Sequence, residues 1–332
     1  MSDQTTTSQP SQLDRATPRI EEIDVGLWCI DLRFQGEPRV ISAWLMAGPD
    51  GLALIETGPS TTMPALRAGI GAIGFTLADV RDVVVSHIHL DHSGAMTHVA
   101  KEAPEARIWV HPVGLPHLID PARLWASAAR IYGDRMERLW GDAGPVPTER
   151  VRPVGDGDTL RLAGRDLRAI HTPGHAGHHL ALHDVARQLV FTGDAAGVRI
   201  PGTGYVCPPV PPPELDIPLW DETIATLAGL GARRLCLTHF GVVSDPAGHL
   251  RQLVRNLDIF RDLAWSVLSS GGDQVALAAA LHDQMAAGLA MGDSGTADDG
   301  DIEALRELEL ATPSYMAALG LTRFLTRQGW LA

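Results

Sequence analysis

Apolar and polar positions alternate with two different periods along this chain. From Arg19 onward, strand-like runs at Ile23 to Arg33, Val40 to Met46 and Leu52 to Glu56 are separated by Gly36-Glu37-Pro38 and Gly48-Pro49-Asp50-Gly51. Short apolar runs between turn residues predict an antiparallel meander. Thr57-Gly58-Pro59-Ser60 ends the third run, and a helix is expected from Met63 to Gly74, with Thr61 or Thr62 as its N-cap. Further strands are expected at Asp82 to Ser86, Arg107 to His111, Leu160 to Leu162, Leu167 to Ile170, Leu180 to Leu182, Gln188 to Phe191 and Arg234 to Leu237. Helices are expected at Ser93 to Lys101 and Glu214 to Leu230, and beyond Pro246 at 247–270, 272–290, 300–311 and 313–328. Gly271-Gly272 and the polar stretch Gly292 to Gly300 divide this last set.

Three stretches stand apart. Residues 1–17 are polar and predict a disordered tail. Residues 112–150 carry Trp125, Tyr132 and Trp140 on helical stretches and read as an insertion beside a site, its aromatics either core or pocket lining. Residues 199–213 are rich in Gly and Pro and predict a loop, which contains Tyr205.

The strand ending at Ser86 runs into His87-Ile88-His89-Leu90-Asp91-His92. His and Asp are poor core residues, and neither period calls for them here. Three further polar points follow strand-like segments: His175 in Thr172-Pro173-Gly174-His175, Asp194 in Thr192-Gly193-Asp194, and His239 in Thr238-His239. Loops at one edge of a rigid sheet bring such residues together. Five imidazoles and two carboxylates exceed what one tetrahedral ion requires and suit zinc, or iron or manganese. His178 and His179 adjoin this set and read first as residues that begin the next strand or bond within the loop, with a pocket or supporting role as the alternative. His98, His111, His117, His171, His183, His249 and His282 read as structural.

The chain has 332 residues, with 45% hydrophobic and 20% charged content, as expected of a globular protein with room for a large core. A formal net charge of -13 disfavours nucleic acid and anionic membranes as partners. Three cysteines, Cys29, Cys207 and Cys236, form no disulfide framework and read as unreactive thiols of a reducing compartment. With no secretory pattern near Met1 and no membrane-spanning run, a cytoplasmic location is expected. The acidic run Asp293 to Asp301 lacks the spacing of a calcium loop and reads as a solvated linker.

The set of motifs resembles the metallo-β-lactamase superfamily over roughly residues 20 to 245. His87-x-His89-x-Asp91-His92 matches its first metal motif, and Thr172-Pro173-Gly174-His175, Gly193-Asp194 and Thr238-His239 match the later ones in order. The resemblance implies an αββα sandwich over 18–245, with the helical insertion at 112–150 and a C-terminal helical extension over 246–332. It implies that His87, His89 and His175 hold one metal, that Asp91, His92 and His239 hold a second, and that Asp194 bridges them. One departure is Leu54-Ile55-Glu56-Thr57-Gly58, where the family usually has Asp in place of Glu56; that residue supports the site rather than ligating.

The implied chemistry is metal-assisted hydrolysis. Two ions about 3.5–4 Å apart hold a bridging hydroxide that attacks a small ester-type substrate, a phosphodiester, lactone, thioester or aryl ester, and Asp91 orients it as the catalytic carboxylate. Alternatives are a β-lactamase-like amide hydrolase, a hydrolytic dehalogenase, and a non-catalytic metal-binding module. True β-lactamases are usually exported and lack the bridging aspartate, and a flavodiiron protein would have Glu where His89 stands. The expected partner is a small molecule. The apolar C-terminal helices, for example Met316 to Phe324, leave room for a homodimer.

Overall fold

A computed structural model describes residues 18–290 and 299–331. The expected tail over 1–17 and most of the acidic run lie outside the described residues, but Asp299 to Asp301 begin a helix rather than a linker.

Two mixed sheets lie at the centre. The first contains β1 (Ile20–Asp24), β2 (Leu27–Asp31), β3 (Ser42–Gly48), β4 (Gly51–Ile55), β5 (Val80–Val84), β6 (Arg107–Val110) and β7 (Val151–Pro153), paired in that order. Its first four strands are antiparallel, as the meander predicts, and β4 to β7 are parallel. The second contains β8 (Thr159–Leu162), β9 (Arg165–His171), β10 (Leu180–Asp184), β11 (Leu189–Gly193), β12 (Arg234–Leu237) and β13 (Gly241–Val243), ordered β13-β12-β11-β10-β9-β8. Only β11 and β12 are parallel there.

The helices, in chain order, are α1 (Met63–Ala72), α2 (Leu90–Ser93), α3 (Met96–Glu102), α4 (Leu115–Ile119), α5 (Ala122–Tyr132), α6 (Met136–Trp140), α7 (Ile217–Gly229), α8 (Pro246–Ser269), α9 (Gln274–Ala290), α10 (Asp299–Ala311) and α11 (Ser314–Arg327). Asp216 and Asp245 cap α7 and α8 by accepting from Leu219 N and Gly248 N. Thr62 stands at the N-cap of α1 without a side-chain cap bond.

Three apolar layers follow from this arrangement. Leu27, Trp44, Leu162 and Phe191 fill the space between the sheets. Ile30, Leu66, Val83 and Val99 pack the first sheet against α1 and α3. Val190, Trp220, Leu253 and Leu321 pack the second sheet against α7 and the C-terminal helices. The result is the αββα sandwich, with the C-terminal helices added to the outer layer of the second sheet.

Several boundaries differ from the sequence expectation. Ile23 to Arg33 is a hairpin of two strands turning at Val25-Gly26, because the Leu27–Asp24 pairing folds the run back on itself. Strands β7 and β13 were not expected; each is three residues long, too short for periodicity to register. Ser93 to Lys101 is interrupted, with α2 and α3 separated at Gly94-Ala95. All three cysteines are buried free thiols, and burial pushes each well above the ordinary range.

Candidate metal centre

The chemistry-bearing residues sit where strands end. His87, His89, Asp91 and His92 follow β5, His175 follows β9, Asp194 follows β11, and His239 lies between β12 and β13. Two glycines shape these turns. Gly174 has φ +128, and a Cβ there would lie 2.4 Å from Trp220 backbone and side-chain atoms. Gly193 has φ +48, and a Cβ would lie 2.5 Å from Ser86 Oγ and 2.6 Å from His179 Nε2. Only a residue without a side chain lets the backbone approach so closely before His175 and Asp194.

All seven residues singled out in the sequence converge. Among the described residues, three groups have donor atoms within 4.8 Å of one another and could hold a metal ion: His87, His89 and His175; His87, His92 and Asp194; and Asp91, His92 and His239. In the first, His87 Nε2 is 2.8 Å from His89 Nδ1, and His175 Nε2 is 3.2 Å and 3.0 Å from those two atoms. In the third, His239 Nε2 is 3.4 Å from both His92 Nε2 and Asp91 Oδ2. Asp194 spans the two, with Oδ2 3.3 Å from His175 Nε2 and Oδ1 3.2 Å from His92 Nε2 and 3.5 Å from His239 Nε2.

The far side of most of these rings is fixed. His175 Nδ1 donates to Pro209 O at 2.8 Å and His239 Nδ1 to Val40 O at 2.6 Å. A carbonyl only accepts, so each neutral ring presents a lone pair at Nε2 to the cluster. His92 Nδ1 faces Glu56 Oε1 at 3.2 Å, and His87 Nδ1 lies 2.9 Å from Ser86 Oγ. Such outer partners orient imidazoles for metal ligation and raise their basicity. Glu56 thus supports the site, in a left-handed backbone conformation (φ +66) and almost wholly buried. His179 accepts from Asp194 N at 3.0 Å and meets Thr172 Oγ1 at 2.7 Å, so it braces Asp194. His178 lines the cavity above the cluster, 3.9 Å from Glu214.

Electrostatics divide the cluster. Burial, then the crowding of like imidazoles, pushes His87 far below its ordinary value, and burial likewise lowers His89 and His175. Burial opposes charge on His92 and His239 too, but the Asp194 carboxylate, with Glu56 and Asp91 at His92 and with Asp91 at His239, outweighs it and lifts both. Against the cost of burial, His92, His175 and His239 hold Asp194 well below the carboxylate range, and His92 and His239 hold Asp91 down to about 2. Buried lone pairs facing one another, an Asp194 Oδ1 without a hydrogen-bond donor, and carboxylates that draw positive charge between them all fit a bound cation.

Above the cluster lies a cavity of about 400 Å³, with His89, Asp91, His175, Asp194 and His239 in its wall. The 112–150 segment and the start of α11 form much of the rest. Tyr132 and Trp140 line it, and Trp140 also stacks on Phe34 with ring centroids 5.5 Å apart, so these aromatics are both core and pocket. Trp125 packs only against the core. Tyr205 is not in the wall; it is buried against Gly288 of α9. His117 was expected to be structural, but it faces the cavity because α4 crosses its rim. His111 and His171 stack on each other at 4.8 Å, and His98, His249 and His282 pair with Asp142, Ala196 O and Glu309. His183 is buried on β10.

The fold and a cluster that could hold metal are on one scaffold, and sequence comparison gives its family. The chain belongs to the metallo-beta-lactamase superfamily, whose sequence model matches residues 36–239. The metallo-beta-lactamase fold-containing protein ST1585 of Sulfurisphaera tokodaii is 26% identical over 228 residues, covering 67% of this chain and 82% of that protein. The acyl-coenzyme A thioesterase MBLAC2 of Homo sapiens is 26% identical over 182 residues, 51% of this chain, and the match spans 63% of the thioesterase's length. The crystal structure of metallo-beta-lactamase family protein TTHA1429 from Thermus thermophilus shares the fold with a TM-score of 0.68, over 93% of this chain and 95% of that one at 20% identity. Among the described residues no helix is long and apolar enough to cross a membrane.

Proposed function

We propose that this chain is a dinuclear metal-dependent hydrolase of a small ester-type substrate, with a thioester favoured over a phosphodiester, lactone or aryl ester. The observation that carries the reading is Asp194, whose two oxygens face two different histidine groups at the base of one cavity. His87, His89 and His175 would hold one divalent cation and Asp91, His92 and His239 the other, with Asp194 shared. Zinc suits this donor set, and iron or manganese are compatible with it. Bound there, such ions supply Lewis acidity to the scissile group and make water acidic near neutral pH.

The chain's own residues do the rest. Asp91 is the carboxylate of the cluster with a side chain partly open to the cavity, and its depressed pKa keeps it ionised at neutral pH. It can therefore orient an attacking water and accept its proton at an Oδ atom. Ile88, Leu124, Ile131, Leu139 and Met316 line the cavity and exclude bulk water from an apolar acyl group. The thioester preference is supported by relatives: besides the human thioesterase, an atrochrysone carboxyl ACP thioesterase of Aspergillus fumigatus is 27% identical over 141 residues, 42% of this chain and 26% of that one.

The test joins metal analysis to turnover. Purified protein should carry about two divalent ions per chain and release thiol from an acyl thioester, and Asp194→Ala should lower kcat/KM by at least about 100-fold with loss of metal. No bound metal after reconstitution with zinc, iron or manganese would overturn the hydrolase reading in favour of a non-catalytic role. Metal retained with activity only on a β-lactam would overturn the ester reading.

A further inference from the structure

We propose that the rim of this cavity is an anion-binding subsite built from Arg135 and Arg138, and that the substrate is an amphipathic ester or thioester carrying a carboxylate or phosphate. The inference deepens the hydrolase reading and rests on it for the kinetic arm of its test only.

The outer wall of the cavity carries both signs of charge, with Glu214 and Glu309 on one side and Arg135 and Arg138 on the other. The carboxylates of the upper wall are already engaged within the protein. Glu214 accepts from Gly177 N at 2.8 Å and faces His178, and Glu309 accepts from Ser314 N at 3.1 Å and pairs with His282 at 2.9 Å. Three arginines stand in the same wall, Arg123, Arg135 and Arg138, and the last two lie between the aromatic pair Tyr132 and Trp140 in the chain. Arg135 Nε donates to Tyr132 O at 3.4 Å, and Arg138 Nη1 donates to Gln35 Oε1 at 3.3 Å. Neither forms an ion pair among the described residues, and both are exposed at the cavity.

Their placement suits capture of an anion. They stand three residues apart, about one helical turn, in one wall of the cavity. The Arg135 guanidinium lies 4.8 Å over the Tyr315 ring, a contact that holds its head at the cavity wall. Beneath them Tyr132 and Trp140 meet edge to face at 5.1 Å and form an apolar bed between the rim and the cavity interior. The phenol of Tyr132 is raised first by burial and then by Asp91, with Arg135 opposing, so it lies within electrostatic range of both the cluster and the rim. A ligand spanning the two must be apolar in the middle and negative at one end. The net charge of -13 would repel such an anion from the surface at large, which leaves local guanidiniums to hold it.

Three thioesters with one acyl chain separate the sources of charge: octanoyl-coenzyme A carries phosphates, S-octanoylglutathione carries carboxylates, and octanoyl-N-acetylcysteamine is neutral. The metal-loaded protein should favour one of the anionic pair over the neutral compound by at least about 10-fold in kcat/KM. Arg135→Gln combined with Arg138→Gln should cut that preference by about 10-fold through KM, and 500 mM salt should erode it in the parent protein. Arg130→Gln, a charge lost from the neighbouring helix α5 outside the cavity, should leave the preference in place. Which anionic compound wins assigns phosphate or carboxylate. Equal use of all three by the parent protein, or an unchanged preference in the double variant, overturns the subsite. If no thioester turns over, the thioester preference fails, and calorimetric titration with free coenzyme A and glutathione still decides the subsite. Binding of either, lost in the double variant, supports it, and binding of neither overturns it.

Discussion

Replacing Glu56 by Gln keeps the shape of the side chain and removes its charge beneath the histidine and aspartate cluster. Glu56 Oε1 lies 3.2 Å from His92 Nδ1, and its carboxylate lies 3.4 Å from Ser86 N and from Thr238 Oγ1. A hydrogen bond to a charged group is worth about 1.5–3 kcal/mol, and a neutral acceptor gives roughly half that. The longer contacts to Ser86 and Thr238 survive with an amide oxygen and contribute little to the difference. The loss of about 1–1.5 kcal/mol therefore falls on His92, which becomes a less basic ligand. That corresponds to about a 10-fold weaker hold on one cation, the low end of what outer partners of metal ligands supply. The group containing Asp91, His92 and His239 should weaken, while His87, His89 and His175 should hold their ion. Titration with a competing chelator should show one ion released about 10-fold more readily. Stability of the metal-free protein should fall somewhat, since His92 loses one of the carboxylates that balance its buried charge. A variant that keeps both ions with the parent affinities would refute the reasoning, because Glu56 would then do no more than fill space.

Other perturbations test the frame around the site. Gly193→Ala forces a Cβ into the left-handed region, 2.5–2.6 Å from Ser86 and His179, and should cost about 3–5 kcal/mol, read as a lowered urea midpoint with loss of metal. Glu307→Ala strips Arg39 of its buried partner (Nη2 to Oε1, 2.7 Å), and Val40 beside it accepts from His239. Because Arg39 keeps some access to water, the expected loss is about 1–3 kcal/mol, seen as a lower Tm, with easier release of the ion near His239 as the sign that α10 supports the site. Burial, only partly opposed by its bond to Ala196 O, pushes His249 down to about 4. Below about pH 6.5 the unfolded chain takes up a proton that the folded chain refuses, so this stability is complete above about 6.5 and lost as pH falls toward about 4, by roughly 3 kcal/mol in all. His249→Gln should flatten that part of a stability–pH profile, and an unchanged slope would contradict the assignment.

The elements and the ligands were legible in the sequence for different reasons. Strand runs such as Arg234 to Leu237 and helices such as α8 follow from local periodicity, which a single segment carries by itself. The seven candidate metal ligands were legible because His and Asp at strand ends have no packing role to explain them, and the structure brings all seven into one cluster. Local pattern could not show that Ile23 to Arg33 folds back at Val25-Gly26, since a hairpin is decided by the partner strand β3 as much as by the turn. Nor could it place β7 and β13, whose three residues pair only because a neighbouring strand is already there. The outer partners were hidden for the same reason: Val40 O meets His239 across 199 positions, and Pro209 O meets His175 across 34. The cavity belongs wholly to tertiary structure. It exists because the 112–150 segment and the loop between α10 and α11 close over one edge of the sandwich, which sets Arg135 on Tyr315 and turns His117 inward. The sequence by itself determined which chemistry the chain can carry, because donor type is a property of single residues. What reaches that chemistry was decided only by the packing of distant segments, because shape and unmatched charge are properties of the surfaces they form together.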